Sequence, residues 1–217
     1  MPRHLGSAPL RLAFSFGALN PAVAKLLAMQ HDEEPETRVK LIETSSAEQM
    51  QGIENGDYDI GLSLAKAKRP SISSFPLWED EIAVAVPVNS PLLTLDTIPL
   101  RELENYPLIM WAADGCAPMS EQIASMLQSE RIAIDVAHEV KTFGVLANLV
   151  AAGYGIALGA RSQFAASRHL EIIMRPLSGP PRPLTTYLLH SKVTSNPCAE
   201  RFIERARRIA AARALAH

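Results

Sequence analysis

Leu10-Arg11-Leu12-Ala13-Phe14-Ser15-Phe16-Gly17 places apolar residues at alternate positions and stops at a glycine, the pattern of a strand that ends in a turn. The period then changes. Leu19, Val23, Leu26, Leu27 and Gln30 follow 3.6-residue spacing, and Pro21 is tolerated in a first helical turn, where its missing N–H would have no partner anyway. A helix ending before Pro35 is predicted. Residues 38–43 read as a second strand. Ser45 or Ser46 then caps a helix through Asn55 with Ala47, Met50 and Ile53 inward, and Gly56 closes it. Residues 57–64 are a nearly continuous apolar run, which a strand covered on both faces of a parallel sheet requires. The chain therefore opens β-α-β-α-β.

Working outward, residues 77–87 begin a region of paired strands with Ile82-Ala83-Val84-Ala85-Val86 at its heart, broken by Pro87 and Pro91. A helical turn at 100–103, a strand at 108–111 and a helix at 118–130 with Met119, Ile123, Met126 and Leu127 on one side repeat the strand-before-helix order. Residues 133–140 are extended and 145–152 helical. Gly153-Tyr154-Gly155 is a turn before the short buried strand Ile156-Ala157-Leu158. Residues 184–190 are extended, and Asn196-Pro197 opens a terminal helix, with Asn as cap and Pro at the first helical position.

Composition excludes several classes. The 217 residues are 47% hydrophobic and 20% charged, an ordinary globular balance, and such a chain buries enough surface to fold without disulfide or metal staples. With 21 Lys and Arg against 23 Asp and Glu, the net charge of −2 is not that of a phosphate-neutralising surface. Two cysteines are too few for a secreted disulfide framework, which favours a cytoplasmic protein. No apolar run reaches the roughly 18 residues of a membrane span. Residues 1–9 lack the apolar core of a signal peptide and read as a tag or linker remnant.

Three sets of residues carry a family likeness. The first is Leu10-Arg11-Leu12, residues 15–18, Leu19-Asn20-Pro21, residues 35–43 and Gly56-Asp57-Tyr58-Asp59-Ile60-Gly61. The second is Val86-Pro87-Val88-Asn89-Ser90-Pro91-Leu92, and the third is Leu149-Val150-Ala151-Ala152-Gly153-Tyr154-Gly155-Ile156-Ala157-Leu158. In order and spacing, from Leu10 to the end, they resemble the effector-binding domain of LysR-type transcriptional regulators. Asn89-Ser90 departs from the family's usual histidine region, and Gly159-Ala160 stands where a proline is usual.

The resemblance implies an α/β fold of two Rossmann-like lobes of periplasmic-binding-protein type (type 2), with a hinge and an interdomain cleft. Residues 10–86 and 187–217 would form lobe I and residues 87–186 lobe II. A small effector would lie between the lobes and control DNA binding of the full-length protein. The family's N-terminal helix-turn-helix has no counterpart before Leu10, so DNA is expected as a partner only through that missing domain, and a homodimer or tetramer is implied by head-to-tail pairing. The family's effector contacts fall at Ser15 and Phe16, in the loop after Trp111, and at Thr142 and Phe143. A free-standing solute-binding protein of the same fold, or an enzyme on it, are the alternatives.

Physical chemistry points to overlapping positions. In open α/β sheets ligands sit beyond the carboxyl ends of the strands, where helix N-termini present unpaired N–H groups and a positive dipole end. Three such ends are residues 15–18, Ser45-Ser46, and residues 113–117 before Pro118. These ends and the positions that the resemblance implies together give the ligand-binding candidates Ser15, Phe16, Gly17, Ser45, Trp111, Ala113, Thr142 and Phe143, of which Trp111, Thr142 and Phe143 rest on the resemblance. Each has a plainer reading beside it: Ser15 and Ser45 as simple caps, Phe16, Phe143 and Trp111 as core. With no Lys or Arg among them, a carboxylate or phenolic metabolite held by hydroxyls and backbone amides fits.

Catalytic, metal and cofactor readings find little support. No G-x-x-x-x-G-K-[ST], G-x-S-x-G, H-E-x-x-H or C-x-x-C occurs, and the six His show no ligand spacing. No enzyme activity, metal or cofactor is expected. Asp57 and Asp59 read as turn and strand structure. Cys116, ahead of a helix, is the one candidate for redox chemistry through a dipole-lowered thiol pKa. The arginines of the terminal helix, Arg201, Arg205, Arg207, Arg208 and Arg213, read as a solvated face near a helix C-terminus.

Overall fold

Leu10, Leu12 and Phe14 alternate along the first strand, β1 (Leu10–Ser15), and all three are buried on its inner face. In the computed structural model, which describes residues 8–167, 170–194 and 196–214, the chain turns at Gly17 (φ +81°) and enters α1 (Pro21–Glu33). Asn20 caps that helix, its side chain accepting the Ala22 N–H at 2.9 Å. Leu19 consequently lies outside the helix and is 42% exposed, so the buried face is Ala22, Val23, Leu26 and Gln30. β2 (Val39–Thr44) follows, then α2 (Ser46–Asn55), then β3 (Ile60–Ser63). The inward residues of α2 are Gln49, Gly52 and Ile53, while Ala47 is exposed and Met50 half-buried, contrary to the helical-wheel expectation. Two glycines explain the rotation. The Tyr58 ring lies where a Cβ on Gly52 would be, at 2.3 Å, and Gln49 fills the space left open by Gly61, where a Cβ would approach its Cδ to 2.9 Å.

Beyond β3 come β4 (Ile72–Pro87), β5 (Pro107–Trp111), α3 (Ala113–Ser129), β6 (Asp135–Val140), α4 (Phe143–Ala151), β7 (Ile156–Ala160), α5 (Arg161–Ala166), β8 (Ile172–Pro176), β9 (Pro183–Ser191) and α6 (Pro197–Ala214). The chain divides into two compact units: one from the described residues up to Trp78 and from Thr185 onward, the other Glu79–Leu184. The long strand β4 and the strand β9 carry the chain from one unit to the other, which is why β4 is a single 16-residue strand rather than the start of a strand pair at Leu77.

In the first unit β1 is central, parallel to β2 on one side and to β3 on the other, and β3 pairs antiparallel with β9. One face packs Leu10, Leu12, Phe14, Ile60 and Leu62 against α1 and α6 through Val23, Leu26, Phe202 and Ala206. The other face carries Ile53 of α2 with Ile72 and Leu189. In the second unit β5 is parallel to both β6 and β7, and β4 is antiparallel to β7 and β8. Leu108, Ile109, Ile123, Leu146, Val150, Leu158 and Phe164 are buried there.

Two sequence expectations change. α3 starts at Ala113, not Pro118, because a kink at Cys116 (φ −119°, ψ 68°) lets a first helical turn precede the proline. And α6 is not simply a solvated cationic face. Arg205 is buried between α1 and α6, donating to Glu33 at 2.8 Å, Glu34 at 2.7 Å and Gln30 at 2.9 Å, while Arg201 and Arg208 hold the same two carboxylates from the exposed side. These contacts occupy much of the charge that a nucleic-acid face would need. Among the described residues no helix is long and apolar enough to cross a membrane.

Candidate functional site

Because β1, β2 and β3 run parallel, their carboxyl ends share one edge of the sheet, and the register aligns Ser15 with Thr44 and places Ser63 one residue beyond the Phe14–Leu62 pair. Three hydroxyl side chains therefore stand abreast on one face. Ser15 is buried and its Oγ donates to Ser63 Oγ at 3.3 Å; Ser63 Oγ in turn accepts the Ala65 N–H at 3.1 Å. Thr44 donates to Glu48 Oε2 at 2.8 Å. The turn after Ser15 is closed by the Ala18 N–H on the Ser15 carbonyl at 3.0 Å, and its third residue is Gly17, since a positive φ at that position disfavours a side chain. Phe16 is half-buried on this turn, its N–H bonded to the Thr44 carbonyl at 3.2 Å.

Ser45 turns out to be engaged by its own helix. It accepts the Glu48 N–H at 3.2 Å, donates to Glu48 Oε2 at 2.9 Å, and its own N–H reaches the same carboxylate, a complete capping box. The hydroxyl of Thr44, then the hydroxyl and N–H of Ser45, hold the Glu48 carboxyl below the usual carboxylate range. Two neighbours at this end of α2 stand differently: Ser46, which the sequence reading paired with Ser45 at this helix end, and Gln49, which it did not name. Ser46 Oγ and Gln49 Oε1 are buried without a hydrogen-bond partner among the described residues, while Gln49 Nε2 donates to the Ala13 and Leu62 carbonyls at 2.8 and 3.0 Å. A buried polar atom left without a partner costs free energy, so each of these two atoms gains by meeting a polar group of a ligand or a water.

The second unit repeats the arrangement. β5 and β6 end together at Trp111 and Val140, and β7 runs parallel beside β5. Trp111 is buried, and its indole N–H donates to the Leu158 carbonyl at 2.9 Å, which makes it a wall of the core rather than a free donor. Ala113 is exposed in the first turn of α3. Next to it Gly115 presses on the following loop so closely that a Cβ would lie 2.8 Å from Lys141 Cα, and Asp114 pairs with the Lys141 ammonium. A cation therefore does stand at this edge, although both partners are exposed. Thr142 caps α4 and is itself exposed; its Oγ1 accepts the Val145 N–H at only 3.5 Å, and no described residue receives its own O–H. Phe143 is half-buried with its ring 5.9 Å from that of Phe164, and Phe164 occupies the space over Gly159, beside the Trp111 indole.

Each unit thus gathers the predicted residues at the carboxyl edge of its own sheet: Ser15, Phe16, Gly17 and Ser45 in the first, Trp111, Ala113, Thr142 and Phe143 in the second. Ser63 and Phe164 were missed, yet the strand-end rule that selected Ser15 and Trp111 applies equally to the ends of β3 and β7. Cys116 departs from expectation. Burial pushes its thiol up to about 11 against the lowering by the Met119 N–H, so it is not the activated thiolate its position before a helix suggested. Among the described residues no group of three or more His, Cys, Asp or Glu is arranged for a metal.

Comparison with known proteins gives the family and the fold. The model of the LysR substrate binding domain matches residues 3–211. The chain belongs to this family. A curated relative, the probable cat1 operon transcriptional activator of Acinetobacter lwoffii, is 27% identical over 148 residues, covering 68% of this chain and 49% of that protein, so the chain spans about half the length of that relative. The effector binding domain of QuiR in complex with shikimate superposes with a TM-score of 0.83 at 19% identity, over 94% of this chain and 97% of that one. The BenM effector binding domain with its effector benzoate gives 0.84 at 19% identity, over 95% and 93%. The fold of this chain is therefore that of the LysR effector-binding domains, a type 2 periplasmic-binding-like architecture.

Proposed function

We propose that this LysR substrate-binding domain senses a small carboxylate or phenolic metabolite at the carboxyl edges of its sheets, and that in a full-length regulator the bound effector controls DNA binding. The observation that carries the reading is the start of α2, where Ser46 Oγ and Gln49 Oε1 are buried without partners among the described residues, with Gln49 anchored to the Ala13 and Leu62 carbonyls of the two strands that end at Ser15 and Ser63. In the second unit the Thr142 O–H, which no described residue receives, can donate to an anion, Lys141 stands at the same edge already paired with Asp114, and Phe143 offers an apolar surface for the ligand's body. The effector acts by differential affinity for two arrangements of the regulator, without bond making or breaking. A cytoplasmic location and a homodimer or tetramer accord with this role.

A thermal-shift and calorimetric panel of aromatic and alicyclic carboxylates and phenols, benzoate and shikimate included, tests it. A ligand at about 100 times its dissociation constant adds about 2.7 kcal/mol, a rise of roughly 5–11 °C in a chain of this size. Thr142→Val should weaken that ligand about 10- to 100-fold for a charged partner, with little change in the ligand-free Tm because the cap bond it removes is long. Thr142→Ser should bind normally. A panel in which no carboxylate or phenol stabilises the chain overturns the ligand class, and equal affinity in Thr142→Val overturns the assignment of that residue.

A further inference from the structure

A pocket of about 380 Å³ opens in the first unit at the edge opposite the hydroxyl row. Arg11 is the second residue of β1 and Ser15 its last, so the four-residue rise between them separates the two edges by about 13 Å. One wall of the pocket is apolar, formed by Ile53, Tyr58, Ala199 and Ile203. The other is built around Asp59, which accepts from Arg11 N at 2.7 Å, Nε at 3.2 Å and Nη2 at 2.9 Å and from Asn196 Nδ2 at 3.1 Å. That carboxylate is saturated. Burial works to raise it, but the Arg11 side chain, the Arg11 N–H and Asn196 outweigh burial and hold it below the ordinary range. Asp59 also ties β1 and the cap of α6 to the start of β3, so the wall is fixed before anything binds.

The donors facing the space are not used up. Arg11 meets Asp59 through Nε and Nη2 only, His190 contacts the Ser191 carbonyl through Nδ1 only, and the Lys192 ammonium is exposed. No described residue accepts from Arg11 Nη1, His190 Nε2 or Lys192 Nζ. Against them stands Glu200 at the rim. Arg11 and Lys192 are balanced by Asp59 and Glu200, so the lining is formally neutral and can hold at most one negative charge, through the unused donors rather than through excess positive charge, while the apolar side suits an aliphatic tail. The volume lies within the lower part of the range typical of small-molecule sites. We propose that this pocket is a second ligand site, distinct from the effector edge, that takes a small aliphatic monocarboxylate.

An NMR titration of the 217-residue chain with hexanoate tests this, with hexanol and hexylamine as charge controls. Hexanoate should shift the His190 imidazole and the Gly56 and Val193 amides saturably at millimolar concentration, leaving Gly17, Ser45 and Thr142 unmoved, and hexylamine should not. Lys192→Glu reverses an exposed charge without touching the Asp59 anchor, and should weaken hexanoate about fivefold or more, whereas Lys192→Arg should bind as wild type. Hexanol binding as well as hexanoate would reduce the site to an apolar hollow. Unchanged affinity in Lys192→Glu, or shifts confined to the carboxyl edge, would likewise overturn the proposal. The effector-edge reading is scored on other residues and another ligand panel, so either reading fails without the other.

Discussion

Replacing Arg205 with methionine removes the charge that joins α6 to α1 while keeping most of the side-chain volume. In the native chain Arg205 is 5% exposed and donates to Glu33, Glu34 and Gln30 at 2.7–2.9 Å. The two carboxylates are not orphaned by the change, since Arg208 still holds Glu33, and Arg201 and Thr37 still hold Glu34. Gln30 fares worse. It is 1% exposed, its Nε2 already lacks a partner among the described residues, and the variant strips the partner from its Oε1. Losing two charge-assisted bonds and leaving a buried amide unsatisfied, offset by no longer burying a guanidinium, comes to about 2–4 kcal/mol. At about 2–4 °C per kcal/mol the Tm should fall by roughly 4–16 °C. The effect should also depend on pH. Hydrogen bonding from Arg201, against burial and aided by Arg205 and Thr37, lowers the Glu34 carboxyl to about 2. A depressed carboxylate contributes stability that is complete above its unfolded value, about 4.5, and is lost as pH falls through the folded value near 2. The gap between wild type and Arg205→Met should therefore narrow below about pH 4.5. Urea unfolding at pH 7 and along an acid series measures both. A loss under about 1 kcal/mol at pH 7, or a gap constant down to pH 2.5, would refute the reasoning.

Two shorter predictions follow from the same geometry. Ser45→Ala breaks the capping box of α2 and should cost about 0.5–2 kcal/mol of stability in chemical unfolding, while leaving effector affinity within about twofold because its hydroxyl already serves Glu48. Cys116, 1% exposed with its thiol pushed up to about 11, should react with a maleimide at pH 8 only after denaturant is added; prompt labelling of the folded chain at this residue would contradict its burial.

How much of this was legible in advance depends on the range of the interaction that decides each residue's place. Strand alternation in residues 10–16, Pro21 in a first helical turn and the caps Ser45 and Asn196 are local signals, and the strands and helix starts they predict are present, although the cap of α1 is Asn20 and Leu19 falls outside that helix. The inward face of α2 was misjudged because it is set by Gly52 and Gly61, whose missing side chains admit Tyr58 and Gln49 from elsewhere in the chain. Arg205 was taken for solvated because nothing near it in sequence reveals that Glu33 and Glu34, more than 170 residues earlier, will lie against it. The candidate site divides along the same line. Positions at the carboxyl ends of strands could be named from the β/α order alone, since a parallel sheet brings those ends together whatever their sequence. Whether a hydroxyl there is engaged or available could not. Ser45 and Thr142 look equivalent as letters before a helix, but Ser45 has a glutamate three residues on, which returns its bond, and Thr142 has Val145, which offers only a distant N–H. The available hydroxyl at a strand end is thus the one whose helix lacks an acidic third residue. By that rule Thr142 outranks Ser45 as a ligand contact, an ordering that the effector titrations of their two variants put directly to the test.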